Sequence, residues 1–97
     1  LNRQPLHIKA KREHINKIAW CTGAAQDGIE EAAAQGADAY ISGEISERTT
    51  SLAKELDIHY FAAGHHATER YGVQALAKHL ADKFTLQHLF IDIDNPV

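Results

Sequence analysis

Short apolar segments that alternate with longer amphipathic ones constrain the fold of this chain most. The segments Ile15–Cys21, Ala37–Ser42 and Ile58–Ala62 have the length and composition of buried strands. The segments between and after them are rich in alanine or carry apolar residues at helical spacing. Helices are therefore predicted from about Ala25 to Gln35, from Ile45 to about Asp57 and from about His66 to Phe84, with a weaker edge-strand pattern over Pro5–Lys9 and a last strand over Leu89–Ile93.

This order of elements predicts an α/β fold: a mostly parallel sheet with helices packed on its faces. In such a sheet the carboxyl ends of the strands open on one edge, where ligands usually bind. Turns at residues 21–23, 42–44 and 64–66 follow three of the predicted strands. We therefore expect their side chains to meet at that edge.

Length and composition narrow the class of protein. A chain of 97 residues is long enough for a single α/β domain, 1–97, but too short for two. It contains no methionine, which suggests a part of a longer polypeptide. The single cysteine and the absence of a signal-peptide pattern predict a cytoplasmic location. No apolar run is long enough for a membrane span, and a net charge of -3 does not favour nucleic acid as a partner.

The stretch Gly64-His65-His66-Ala67-Thr68-Glu69 carries the clearest chemistry. His65 and Glu69 are four residues apart, so on a helix they share a face and can converge on one point. An imidazole and a carboxylate together suit divalent ions such as zinc, iron or manganese. The alternative is an ordinary helix start, where a glutamate serves the helix dipole and the positive helix end opposes a cation.

Glu44 is the candidate catalytic residue, because its turn lies at the same edge of the predicted sheet. A carboxylate beside a metal can orient a water molecule or accept its proton. The alternative is a solvent-exposed carboxylate at a helix start. Among the other polar residues, Thr68 either supports a ligand or bonds to backbone.

The remaining side chains are assigned structural roles. Cys21 is expected to be a small buried residue, and Trp20 to belong to the core or to an interface. Asp92 is expected on the wet face of an edge strand, as is Asp94. The scattered histidines are assigned to surface or partly buried structural positions: His7, His14, His59, His79 and His88.

Four motifs resemble the NIF-three-like family, also called GTP cyclohydrolase I type-two homologues: residues 18–23 (IAWCTG), 41–44 (ISGE), 64–70 (GHHATER) and 90–96 (FIDIDNP). The resemblance implies a dinuclear centre, with two divalent cations per complete site. His65 and Glu69 would be its C-terminal ligands, and Glu69 would touch both ions. The family's other ligands, a histidine pair and an aspartate, come from an N-terminal half with no counterpart in this sequence.

The resemblance further implies a homohexameric ring whose sites face an inner cavity. The preferred hypothesis is a metal-dependent hydrolase that acts on a small nucleotide-like substrate. Two alternatives stay open: a non-enzymatic metal-binding ring scaffold, and an assembly module without metal. For the metal-dependent hypotheses we expect the isolated chain to be inactive, because two ligands hold a metal weakly.

Overall fold

The computed structural model describes all 97 residues and contains one four-stranded sheet. Its strands are β1 (Leu6–Ile8), β2 (Ile18–Cys21), β3 (Ala39–Ser42) and β4 (His59–Ala62), in the spatial order β1-β4-β3-β2. Strands β2, β3 and β4 are parallel, whereas β1 pairs with β4 in the antiparallel direction. The sheet is therefore mixed, which corrects the prediction of a mostly parallel one. The connection from β1 to β2 contains no helix, so no crossover unit fixes the direction of β1 as parallel.

Three α-helices connect or follow the strands, as the pattern predicts. They are α1 (Ile29–Ala34), α2 (Glu47–Glu55) and α3 (His65–Phe84). A 3-10 turn over Gln26–Gly28 replaces the first part of the predicted alanine-rich helix. Helix α2 begins at a capping box, in which the Ser46 hydroxyl accepts the backbone N–H of Thr49.

The core lies between the sheet and helices α1 and α2. Ile29, Ile58 and Tyr60 are fully buried there, and burying side chains of this size stabilises the fold by about 1.5–3 kcal/mol each. The buried tyrosines keep their hydroxyl groups hydrogen-bonded, since Tyr40 donates to the Ala25 carbonyl at 2.8 Å and Tyr60 to the Glu44 carbonyl at 2.5 Å. Burial raises the pKa of Tyr60 to about 12. The core thus extends directly beneath the turn that carries Glu44.

The C-terminal segment differs from the prediction. Residues 86–97 form no strand, and the side chains of Ile91 and Ile93 are 72% and 74% exposed. The segment lies instead against the first turn of α3, where the His66 N–H donates to the Val97 carbonyl at 2.9 Å. Asp92 is therefore not on an edge strand. An apolar run becomes a strand only where a sheet edge accepts its backbone hydrogen bonds, and none does so here.

Strand β2 is also more exposed than predicted. Cys21 is exposed and Trp20 is 73% exposed, because β2 is the outermost strand of the sheet. Helix α3 likewise buries only Ala67 and leaves its apolar stripe in solvent. None of the helices has the length and apolar character that crossing a bilayer requires.

Candidate metal centre

The turns after β2, β3 and β4 meet at one edge of the sheet, as their positions predict. The Gly43 N–H donates to the Gly23 carbonyl at 3.0 Å, and the Gly64 N–H donates to the Gly43 carbonyl at 2.9 Å. The buried Ser42 hydroxyl also donates to the Gly23 carbonyl, at 3.2 Å. These hydrogen bonds therefore hold the three turns side by side. The backbone of the turns supports the side chains of the site.

Two glycines permit this close approach. A Cβ atom on Gly43 would lie 2.6 Å from the Gly23 carbonyl oxygen and 2.8 Å from the His65 Cα, distances that real side chains do not adopt. Gly23 has a φ of +69°, a region that residues with a Cβ rarely occupy. A Cβ on Gly23 would also collide with the Glu69 carboxylate and lie 3.2 Å from His65 Nε2. The backbone of residue 23 is thus one wall of the site.

His65 stands at the centre of the site, between two carboxylates. Its Nε2 lies 3.1 Å from Glu69 Oε2, and its Nδ1 lies 2.6 Å from Glu44 Oε1. The side chains of His65 and Glu44 are each 35% exposed and that of Glu69 is 52% exposed, so the group is open to solvent on one side. The structure therefore brings together the three residues that the sequence singles out.

The carboxylates favour positive charge on the imidazole. The hydrogen bond that the His65 ring donates to the Glu44 carboxylate raises the pKa of His65 above its ordinary value, against the opposing effect of desolvation, and the nearby Glu69 charge raises it further. The same negative field that stabilises a proton on Nε2 also stabilises a cation bound there. The donor set of this site thus fits a divalent ion, with His65 Nε2 and a Glu69 oxygen as the atoms that face each other.

Thr68 supports the first turn of α3 through the backbone. Its hydroxyl lies 2.9 Å from the Gly64 carbonyl and 3.0 Å from the His65 carbonyl, and it accepts the Gly23 N–H at 3.2 Å. The side chain therefore ties the loop at residue 23 to the helix that carries both predicted ligands. Of the two roles predicted for Thr68, the observed contacts correspond to hydrogen bonding with the backbone.

The chain supplies an incomplete ligand set. No group of three or more His, Cys, Asp and Glu side chains is arranged to hold a metal ion.

His66, next to His65, belongs to a separate ion-pair cluster. It pairs with Asp92 at 2.9 Å, and Asp92 also binds Arg70 at 2.9 Å. Sequence reasoning misses this cluster, because Asp92 lies 26 residues from His66 and no local pattern connects them.

A family model described as Duf34/NIF3 (NGG1p interacting factor 3) matches residues 1–96. The chain belongs to this family. A GTP cyclohydrolase 1 type 2 homolog of Vibrio cholerae is 60% identical over 99 residues, which cover 100% of this chain and 39% of the relative. A protein of the same name from Allochromatium vinosum is 57% identical over 96 residues, which cover 99% of this chain and 38% of the relative. The chain thus spans well under half the length of these NIF3 relatives.

Solved structures show the same fold. A protein called ybgI, described as of unknown function, is 47% identical and superposes with a TM-score of 0.93 over 98% of this chain and 39% of its own. The protein TTHA1606 from Thermus thermophilus is 29% identical, with a TM-score of 0.84 over 97% of this chain and 38% of its own. Reduced HcgD from Methanocaldococcus jannaschii is 29% identical, with a TM-score of 0.74 over 87% of this chain and 35% of its own.

Proposed function

We propose that this chain is the C-terminal portion of a dinuclear metal-binding protein, a metal-dependent hydrolase that acts on a small nucleotide-like substrate. One observation carries the proposal: His65 Nε2 and Glu69 Oε2 converge to 3.1 Å at the open edge of the sheet. Relatives that share more than half of their residues with this chain over the aligned region are named GTP cyclohydrolase 1 type 2 homologs. That name supports the nucleotide-like substrate class.

His65 and Glu69 are the proposed ligands, and their positions suit the task. Both project from the first turns of α3, whose start is held by backbone hydrogen bonds to the neighbouring strand-end turns. If Nε2 held a metal ion, the Nδ1–H of His65 would donate to Glu44, whose Oε1 lies 2.6 Å away. Metal-binding histidines commonly have such a carboxylate partner, which fixes the ring orientation and makes the imidazole a stronger ligand.

Glu44 has two proposed roles in this site. Its contact with His65 Nδ1 supports the orienting role, and its 35% exposure leaves part of the carboxylate accessible to accept a proton from a reacting water molecule. The backbone carbonyl of Glu44 accepts a hydrogen bond from the buried Tyr60 hydroxyl. This contact with the core fixes the backbone position of Glu44. A divalent ion of the zinc, iron or manganese class, when bound, supplies Lewis acidity and lowers the pKa of water.

The complete centre requires ligands beyond this chain. A catalytic zinc has about three protein ligands, and two are present here. The curated relatives are longer, since the chain spans 38% and 39% of the two described above. We therefore propose two metal ions per complete site in the longer polypeptide and an inactive isolated chain.

A second candidate function is a non-enzymatic metal-binding ring scaffold. It is favoured by the apolar side chains that the chain leaves in solvent, since exposed apolar patches mark interaction surfaces. These residues lie on α3 and on the C-terminal segment: Val73, Leu76, Phe84, Leu89, Ile91 and Ile93. Assembly into a homohexameric ring would cover such a surface, and the exposed free Cys21 is compatible with the proposed cytoplasmic location.

A substrate screen on the metal-loaded longer polypeptide separates the two functions. We expect hydrolysis of at least one cyclic, mono- or triphosphate nucleotide, and a loss of at least about tenfold in turnover in Glu44→Gln. Glu47→Gln is the matched control, because Glu47 is an exposed carboxylate at the start of α2, the helix that follows the Glu44 turn. A fully metal-loaded protein that hydrolyses none of these nucleotides would support the scaffold. Equal turnover in the two variants would reject the role of Glu44.

A further inference from the structure

A buried histidine lies on the far side of the sheet from α1 and α2. His59, on β4, is only 4% exposed, and both of its ring nitrogens have partners. Its Nε2 lies 2.9 Å from the Arg12 carbonyl oxygen. Its Nδ1 lies 2.9 Å from His7 Nε2 and 3.4 Å from the Ala10 backbone nitrogen. These partners all belong to β1 or to the connection that follows it.

The partners define the hydrogen-bonding role of each ring nitrogen of His59. A carbonyl oxygen only accepts hydrogen bonds, so Nε2 must carry the hydrogen. A backbone N–H only donates, so Nδ1 must present its lone pair to Ala10. His7 Nε2 then donates to the same lone pair. A hydrogen on Nδ1 would therefore face two donors, His7 Nε2 and the Ala10 N–H, in place of an acceptor.

Besides the histidine pair, β1 is held by its pairing with β4, by the packing of Ile8 against the core and by ring stacking. The strand has three residues and pairs with β4 alone. The His7 ring stacks on Phe61 with 4.2 Å between ring centroids and on His59 with 5.2 Å. The following connection is anchored by carboxylates, since Asp57 accepts the Lys11 N–H at 2.7 Å and Asp38 pairs with Arg12. The histidine pair thus links β1 to Ala10 and Arg12 of the connection through side-chain hydrogen bonds.

The charges around His7 oppose its protonation. The cationic groups of this segment are Lys9, Lys11 and Arg12, and the carboxylates of Asp57 and Asp38 are already hydrogen-bonded to it. Burial lowers the pKa of His7, and His59 and Lys9 lower it further. Because the folded state lowers this pKa, the stability it contributes is present above the ordinary histidine pKa of about 6.5 and is lost as the pH falls.

We propose that His7 and His59 form a pH-sensitive latch, which holds β1 and residues 9–12 on the sheet while the rings are neutral and releases them on protonation. The pair is not a metal site, because backbone groups already occupy both nitrogens of His59. The latch involves none of the proposed metal ligands. It does adjoin them, since β1 pairs with β4, which ends three residues before His65.

Amide hydrogen exchange tests the latch. Protection factors of Ala10 and of residues 6–8 should fall at least about tenfold between about pH 8 and about pH 5.5, while the Ile41 amide in the central strand stays protected. His7→Phe retains the stacking on Phe61 without a titrating ring, and His59→Gln removes the titrating group at the centre. His59→Gln should lose most of the pH dependence, and His7→Phe should lose part of it, whatever their absolute protection.

His14→Gln is the control, because His14 is an exposed histidine on the same connection. It should keep the full pH dependence of the original chain. Protection of Ala10 that does not change with pH in the original chain would overturn the proposal. So would an undiminished fall in both His7→Phe and His59→Gln. Neither result bears on the proposed metal site, because His7 and His59 do not contact its ligands.

Discussion

Replacing Gly23 with alanine perturbs the wall of the candidate metal centre in a way that can be separated from backbone strain. Gly23 has a φ of +69°, and an L-residue in the left-handed region costs about 1–2 kcal/mol. The added Cβ would also overlap the Glu69 carboxylate. That carboxylate is the end of a flexible side chain, so we expect it to rotate away from His65 with little further loss of stability.

Gly36→Ala is the matched control. Gly36 has a similar φ of +77°, yet a Cβ there would meet no atom within 4 Å. Both variants should therefore lower the free energy of unfolding by about 1–2 kcal/mol. Only Gly23→Ala should separate Glu69 from His65, which predicts a loss of at least about tenfold in divalent metal affinity.

Two assays distinguish the effects: urea unfolding gives the stability change, and competition with a chromophoric chelator gives the zinc affinity of the longer polypeptide. The reasoning predicts matched stability losses and a selective loss of affinity in Gly23→Ala. It would be refuted by equal zinc affinity in the two variants. It would equally be refuted by a Gly23→Ala chain as stable as the original.

Three further predictions concern other parts of the chain. Gly72→Ala should stabilise the protein by about 0.5–1 kcal/mol in urea unfolding, because a Cβ in this helical position meets nothing within 4 Å; a destabilised variant would contradict this. Asp92→Asn should weaken the attachment of residues 86–97 to α3 by up to about 1 kcal/mol, seen as faster proteolysis of that segment; unchanged cleavage would argue against the tether. Asp38 has a lowered pKa, mainly because it accepts the backbone N–H groups of Asn16 and Lys17, so the stability it contributes is present above the ordinary aspartate pKa and lost as the pH falls through the folded value. Urea unfolding should therefore show a smaller acid-induced loss in Asp38→Asn than in the original chain, and identical losses would reject this account.

The alternating strands and helices, and the site at the carboxyl ends of the strands, are predictable from sequence. Both depend on residues that are close together in the chain. Apolar runs bounded by turn residues specify β3 and β4, and the helical spacing in residues 73–84 specifies α3. Parallel strands place their carboxyl ends at one edge, so the turns that carry Glu44 and His65 come together as a consequence of topology. The spacing of His65 and Glu69 then follows from the helix itself.

The features that escape prediction depend on neighbours far away in sequence. The direction of β1 is set by its pairing with β4, and the exposure of Trp20 follows from the edge position of β2. Residues 89–93 have the composition of a strand but find no sheet edge, and they pack against α3 instead. The His7–His59 pair likewise joins residues on two strands that are 52 positions apart in sequence, and no sequence motif connects them.

The most direct test of the metal site is the metal content of the longer polypeptide, measured by mass spectrometry in three variants. His65→Ala and Glu69→Ala should each lose bound divalent metal, because each removes one of two facing ligands. His66→Ala should retain it, since that neighbouring side chain pairs with Asp92. Full metal occupancy in both His65→Ala and Glu69→Ala would contradict the account.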